Sequence, residues 1–145
     1  MIDCSEYVRV ALYNQLFGDV TYSGQLVPIY KQLPFETTPE KYVVIGDITE
    51  TQIEPNNNRF ISNVDVNIDI YVEQYRCQDL SIIDGLATQI LQVIFPSPIH
   101  DTIGDVSLAI YPIERTSSRY LTLQNGQNFV TRKILSLKFL VNQDQ

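Results

Sequence analysis

Asn63-Val-Asp-Val-Asn-Ile-Asp-Ile-Tyr-Val-Glu73 alternates apolar and polar residues without a fault. Val64, Val66, Ile68, Ile70 and Val72 point one way, and Asp65, Asn67, Asp69, Tyr71 and Glu73 point the other. A period of two is the mark of a strand with one buried face. Ten steps of ~3.3 Å span about 33 Å, well beyond the usual strand of about five or six residues.

Working outward, Tyr42 to Thr49 reads as a second strand, separated from the first by the polar stretch from Gln52 to Arg59. That stretch holds Glu54, Pro55, Asn56, Asn57 and Asn58, and reads as a projecting loop. Upstream, Asp3-Cys-Ser-Glu6 has the spacing of a capping box, with Ile2 and Tyr7 placed as a hydrophobic staple. Cys4, Val8, Ala11, Leu12 and Leu16 mark one face of a helix over about residues 4–17, stopped by Gly18. Val20–Tyr22 and Leu26–Tyr30 read as a small hairpin around Ser23-Gly24 or as two edge strands, with Pro28 suited to an edge. Lys31 to Lys41 reads as a loop.

Downstream, Asp79 is placed to cap a helix from about Leu80 to Phe95, with Ile83, Leu86, Ala87, Ile90, Leu91 and Ile94 on its core face. Gly85 weakens that helix by about 1 kcal/mol against Ala, and Pro96 and Pro98 end it. Val106–Ile113 and Phe129–Val141 read as strands, Pro112 marking an edge or a bulge. Between them, Thr116 to Asn128 is a long connection with a tight-turn signal at Asn125-Gly126. The order predicts an α+β fold: an antiparallel or mixed sheet of four to six strands, with two helices packed on one face. The other face would hold Asp65, Asp69 and Glu73 beside Arg132 and Lys138.

The 145 residues suit one domain, 1–145. With 44% hydrophobic and 19% charged residues the chain builds a core and is not disordered. A net charge of −7 argues against a surface that grips nucleic acid, which needs a basic patch to neutralise phosphates. Two cysteines, Cys4 and Cys77, make no disulfide framework. No signal peptide is evident, and no apolar run approaches the ~18 residues needed to cross a bilayer. The expectation is an intracellular product with reduced thiols and no membrane.

Chemistry is hard to place. His100 is the only histidine and falls in a connection after Pro98, and no Cys-x-x-Cys is present, so no metal site or other cofactor is expected. Asp47, Glu50, Asp65 and Asp69 could hold magnesium in a nuclease, but no Glu-x-Lys or Asp-x-Lys follows them, and they alternate with core residues. Gly46 reads as a bulge or a close backbone approach. Cys77 near a helix start reads as an idle or packed thiol, and Tyr71, Tyr75, Tyr111 and Tyr120 as core or interface residues rather than base-stacking ones.

The segment Leu33-Pro-Phe…Lys41-Tyr-Val-Val-Ile-Gly-Asp-Ile-Thr-Glu-Thr51 resembles the centre of the tail completion or tail terminator (tail-to-head joining) proteins of tailed bacteriophages. The long strand ending in Tyr71-Val-Glu-Gln-Tyr75, the Asp79–Ile94 helix and the closing hairpin into Phe129-Val-Thr-Arg-Lys-Ile-Leu-Ser-Leu-Lys-Phe139 agree in order. The resemblance is one of hydrophobic spacing and turns. It implies a non-enzymatic virion subunit that closes into a ring, usually a hexamer. The ring ends the tail tube, docks it to the head connector and neck proteins, and leaves a channel for double-stranded DNA that passes without specific binding. It implies assembly in the host bacterial cytoplasm and a place at the tail–head junction. Another neck or connector ring stays open. So, from a different class, does an acidic metal-dependent enzyme or a regulatory binding domain.

On this reading Glu54, Asn56, Asn57 and Arg59 in the first projecting segment, and Arg119, Tyr120 and Leu121 in the second, are expected partner or subunit contacts. Asp65, Asp69, Glu73, Arg132 and Lys138 are expected to line the channel or a subunit seam.

Overall fold

The computed structural model describes residues 3–34, 39–56, 59–95, 98–103 and 106–144. Helix α1 (Ser5–Leu16) is followed by three two-residue strands, β1 (Thr21–Tyr22), β2 (Gln25–Leu26) and β3 (Ile29–Tyr30). Strands β4 (Lys41–Asn56) and β5 (Arg59–Tyr75) lead to helix α2 (Leu80–Ile94). Strands β6 (Ile99–Ile103), β7 (Val106–Asn125) and β8 (Asn128–Asp144) follow. The main sheet runs β3-β4-β5-β8-β7-β6 and curls into a half-barrel. It is mixed, because β3 pairs parallel with β4 while every other pairing is antiparallel.

The alternation in β5 does what it predicts. Val64, Val66, Ile68, Ile70 and Val72 are buried, and all belong to one cluster with Val43, Ile45, Leu135, Leu137, Phe139 and Val141 of the neighbouring strands. Both helices contribute to that cluster, α1 through Val8, Leu12 and Leu16 and α2 through Ile83, Leu86, Ile90 and Ile94. Burying each such side chain stabilises by about 1.5–3 kcal/mol relative to leaving it in water.

Four expectations are corrected. The polar stretch after Thr49 is not a loop: β4 continues to Asn56, paired back onto β5 down to Arg59. Pro55 is tolerated there because β3 covers β4 only at Val43 and Val44, which leaves β4 an edge strand at Pro55. Nor is Thr116–Asn125 a connection: it is ladder, each residue from Ser117 paired with β8, and only Gly126 and Gln127 form the turn. His100 lies in β6, with an exposed side chain. The capping box does not form either. Asp3 accepts from the N–H of Ser5 (3.0 Å), Glu6 pairs with Arg9, and the N–H of Cys4 donates to Glu50 on β4 (3.1 Å). A carboxylate from 46 residues away thus sits at the positive end of α1. Ile2 and Pro96, named for the staple and the helix stop, lie outside the described residues.

Other local readings hold. Asp79 accepts from the N–H of Ser81 at 3.0 Å, as a cap should. Pro112 sits beyond the last residue that β6 covers, beside a bulge between Pro112 and Glu114. Ser23-Gly24 turns the β1–β2 hairpin.

Candidate functional site

Two features stand out on the sheet. The first is a cleft of about 1100 Å³ beside the middle of β4. It is made where β4 bulges: the register with β5 slips between Ile45 and Ile48, leaving Gly46 and Asp47 outside the ladder. Gly46 sits at a close backbone approach. A Cβ there would lie 3.1 Å from the backbone oxygen of Asn67 and 3.1 Å from Asp69 Oδ2. Its carbonyl accepts from Arg9 Nη2 of α1 (3.2 Å), which ties the helix to the bulge.

Inside the cleft Asp69 is only 5% exposed and binds Arg132 Nη2 at 2.8 Å. Its Oδ1 is buried with no hydrogen-bond partner, as are Arg132 Nε and Arg9 Nε. Burial raises the Asp69 carboxyl above the ordinary range despite Arg132, and Asp47 adds to the rise. Arg132, also desolvated, is nevertheless held more firmly charged by Asp69. Both groups are raised, which disfavours the charged acid but favours the charged base: the Asp69 side chain is 8% exposed and that of Arg132 38%, so desolvation falls mainly on the acid. Arg132 also lies over the ring of Tyr71, which stacks on Tyr42 at 4.6 Å between centroids.

The second feature is the outer side of β7. Strand β6 covers that side only as far as Ile110, so among the described residues Tyr111–Asn125 has no strand on its outer side. Ile113, Leu121 and Leu123 are exposed along it. A groove between this edge and α2 is lined by Thr88, Leu91, Gln92, Phe95 and Arg115. Nearer the turn, polar groups tie the edge to α2. Lys133 Nζ donates to Asp84 (2.6 Å) and to Tyr120 (3.0 Å), and the Tyr120 hydroxyl donates to Asp84. Gln78 donates to Thr122 (2.7 Å). Burial pulls Lys133 down, but Asp84 and Tyr120 outweigh it and raise it, while Lys133 and then Tyr120 hold Asp84 below the usual carboxylate range.

The expected site residues separate into three groups. Asp69 shares one sheet face with Arg132, and Arg119 and Leu121 join it through the registers Arg119↔Ile134↔Asp69 and Leu121↔Arg132↔Tyr71. Asp65 is exposed and faces Lys138 across the ladder, and Glu73 accepts from Asn128 (3.1 Å). Tyr120 is on the opposite face, turned towards α2 rather than outward from a loop tip. Glu54 and Asn56 end β4 and Arg59 opens β5, while Asn57 lies outside the described residues. That hairpin turn and the Gly126 turn are at opposite ends of the sheet, since Asn56 aligns with Asp144 through Arg59 and Asn125 with Tyr75 through Asn128.

The four acids weighed as a metal set do not converge. Glu50 is at the α1 terminus and accepts from Ser62 Oγ (3.0 Å), on the face opposite Asp65 and Asp69. Asp84 and Lys133 were missed by the sequence reading. A lysine at a core-parity position of β8, two residues before Leu135, was the available signal: such a charge needs a partner from the covering helix.

No family model matches this chain, and no curated protein matches it. Among solved structures, a chain in the virion of a native gene transfer agent (GTA) particle is similar in fold. The TM-score is 0.59 and the identity 10%, over 92% of this chain and 94% of that chain.

Proposed function

We propose that this chain is a structural virion protein that forms a ring at a tail–head junction. The ring ends the tail tube, joins it to the head connector and neck proteins, and leaves a channel for double-stranded DNA. The observation that supports this best is the fold likeness to a chain of a gene transfer agent virion over nearly the full length of both. On this reading residues 1–145 are one domain, both helices cover the same sheet face, and no catalytic step is assigned. The site geometry is that of a surface for assembly. Long strands end in free edges, Leu121 and Leu123 are exposed, and Asp69 and Arg132 engage each other rather than a substrate.

Channel and seam divide between the acids by exposure. Asp65 is solvated and suits a lining that repels phosphates, whereas Asp69 with Arg132 suits a seam. Glu54, Asn56, Asn57, Arg59, Arg119 and Leu121 are the proposed partner contacts. Tyr120 serves instead to hold β7 to α2. Another neck or connector ring fits the same observations, and contact with tail tubes separates the two. Sedimentation of the purified protein, alone and with tail-tube protein, tests the reading, followed by electron microscopy of the mixture. A closed ring seated on tube ends is expected; a monomer under both conditions overturns it.

A further inference from the structure

Four bulges interrupt the main sheet among the described residues, and every one of them lies in β4 or β7. The pairings of β5 with β8 and of β6 with β7 run without a slip. In β4 the register with β5 slips between Ile45 and Ile48 and again between Gln52 and Glu54, each time with the extra residue on β4. An extra residue bends the strand and shifts by one the alternation of its outward N–H and C=O groups. A straight strand laid along β4 therefore falls out of phase on passing it.

Three further features lie along the same edge. Strand β3 takes the places beside Val43 and Val44. Arg9 Nη2 of α1 donates to the Gly46 carbonyl at 3.2 Å, so that acceptor is already engaged. Pro55 has no N–H to offer. The longest regular run left beyond β3 is Ile48–Gln52, with a bulge at each end. Bulges, prolines and short exposed runs are the means by which edge strands avoid pairing with another chain.

The β7 edge differs. Its slips fall between Pro112 and Glu114 and between Arg115 and Ser117, and it then runs regularly from Ser117 to Asn125. A ladder that joins copies head to tail needs one β4 edge and one β7 edge at every junction, so closing β4 closes them all.

We propose that the β4 edge is closed to strand addition, and that copies of this chain meet through side chains rather than by extending one another's sheet. The inference does not rest on the ring reading; it says what kind of seam a ring of this chain has.

Two measurements test it. The first is amide exchange, read residue by residue over Ile48–Gln52, in dilute wild-type protein, in concentrated protein and with tail-tube protein added. Amides that exchange fast in the dilute protein should stay fast throughout, and a slowing of about tenfold or more on assembly overturns the proposal. The second straightens the edge. Deleting Asp47 and Ile53 removes one residue from each bulge and keeps Ile45 on Ile68, Ile48 on Val66, Gln52 on Ser62 and Glu54 on Ile61. Pro55→Thr restores the missing N–H. The straightened chain, folded by circular dichroism, should form species whose native mass grows with concentration where the wild type's does not. A folded straightened chain with the wild-type mass overturns the proposal; should that chain fail to fold, the exchange measurement decides alone. A ring whose β4 amides slow overturns the closure and leaves the ring reading standing. A wild type that stays monomeric, with fast β4 amides, leaves the closure standing and overturns the ring reading.

Discussion

Asp84 accepts from Lys133 and from Tyr120, and the Lys133 side chain is only 9% exposed beneath α2. Replacing Asp84 by Ala leaves that ammonium with Tyr120 alone. The expected cost is about 1–3 kcal/mol, the penalty of a buried donor that loses its partner, with Asp84→Asn milder because an amide oxygen still accepts. Urea unfolding midpoints measure it. The pH dependence has a defined sign. Asp84 is lowered on folding, so its stabilisation is present above its unfolded value and lost as pH falls through the folded one. Lys133 is raised, so its share is present below its unfolded value and lost as pH rises through the folded one. Asp69 behaves oppositely to Asp84: raised by burial, it favours the fold below its unfolded value and loses that contribution as pH rises. Asp84→Ala should therefore lose less stability than wild type between about pH 6 and about pH 3, whereas an equal acid loss would remove Asp84 from the account.

At the scale of elements, the two glycines inside regular structure differ in kind. Gly85 of α2 is exposed, and a Cβ there meets nothing within 4 Å, so Gly85→Ala should raise stability by about 1 kcal/mol. At Gly46 a Cβ would press at 3.1 Å on a ladder backbone oxygen and on Asp69, which must give by a few tenths of an ångström, so Gly46→Ala should lower it by about 1–3 kcal/mol. Thermal unfolding of the pair checks both signs. What could be read from sequence followed burial. In β5 and α2, where one face meets the core, the spacing of Val64–Val72 and Ile83–Ile94 gave element, face and cap. Beyond Ile113 and beyond Thr49 it failed, because those stretches are free edges. Neither face of Thr116–Asn125 is buried enough to impose alternation, and hydrogen bonds to β8 make the strand instead. The α1 terminus was out of reach for another reason: Glu50 is adjacent to Cys4 only after β4 has folded against the helix. The pairing of Asp69 with Arg132 was partly visible, as opposite charges on one face. The burial of Asp69 was not, since the bulge at Gly46 creates it.

For the molecule as a whole, the two thiols give a direct measure of intactness. Cys77 is exposed, while Cys4 is fully buried, its thiol pushed up to about 12 by burial and by Glu50. A thiol reagent at neutral pH should label Cys77 at once and Cys4 only as fast as the fold opens; rapid labelling of both would show α1 detached from β4. The strand order has a consequence in time. Strand β8 follows both β5 and β7 in the chain, yet it lies between them and pairs with both along its length. Until it emerges from the ribosome, β5 and β7 have no partner in common, and the apolar face of β5 lacks Leu135, Leu137 and Phe139. The nascent chain therefore completes β7 at Asn125 with two long strands still unjoined. Its folding waits on contacts between distant residues, a slow and aggregation-exposed route that makes this seventeen-residue strand the step on which yield depends.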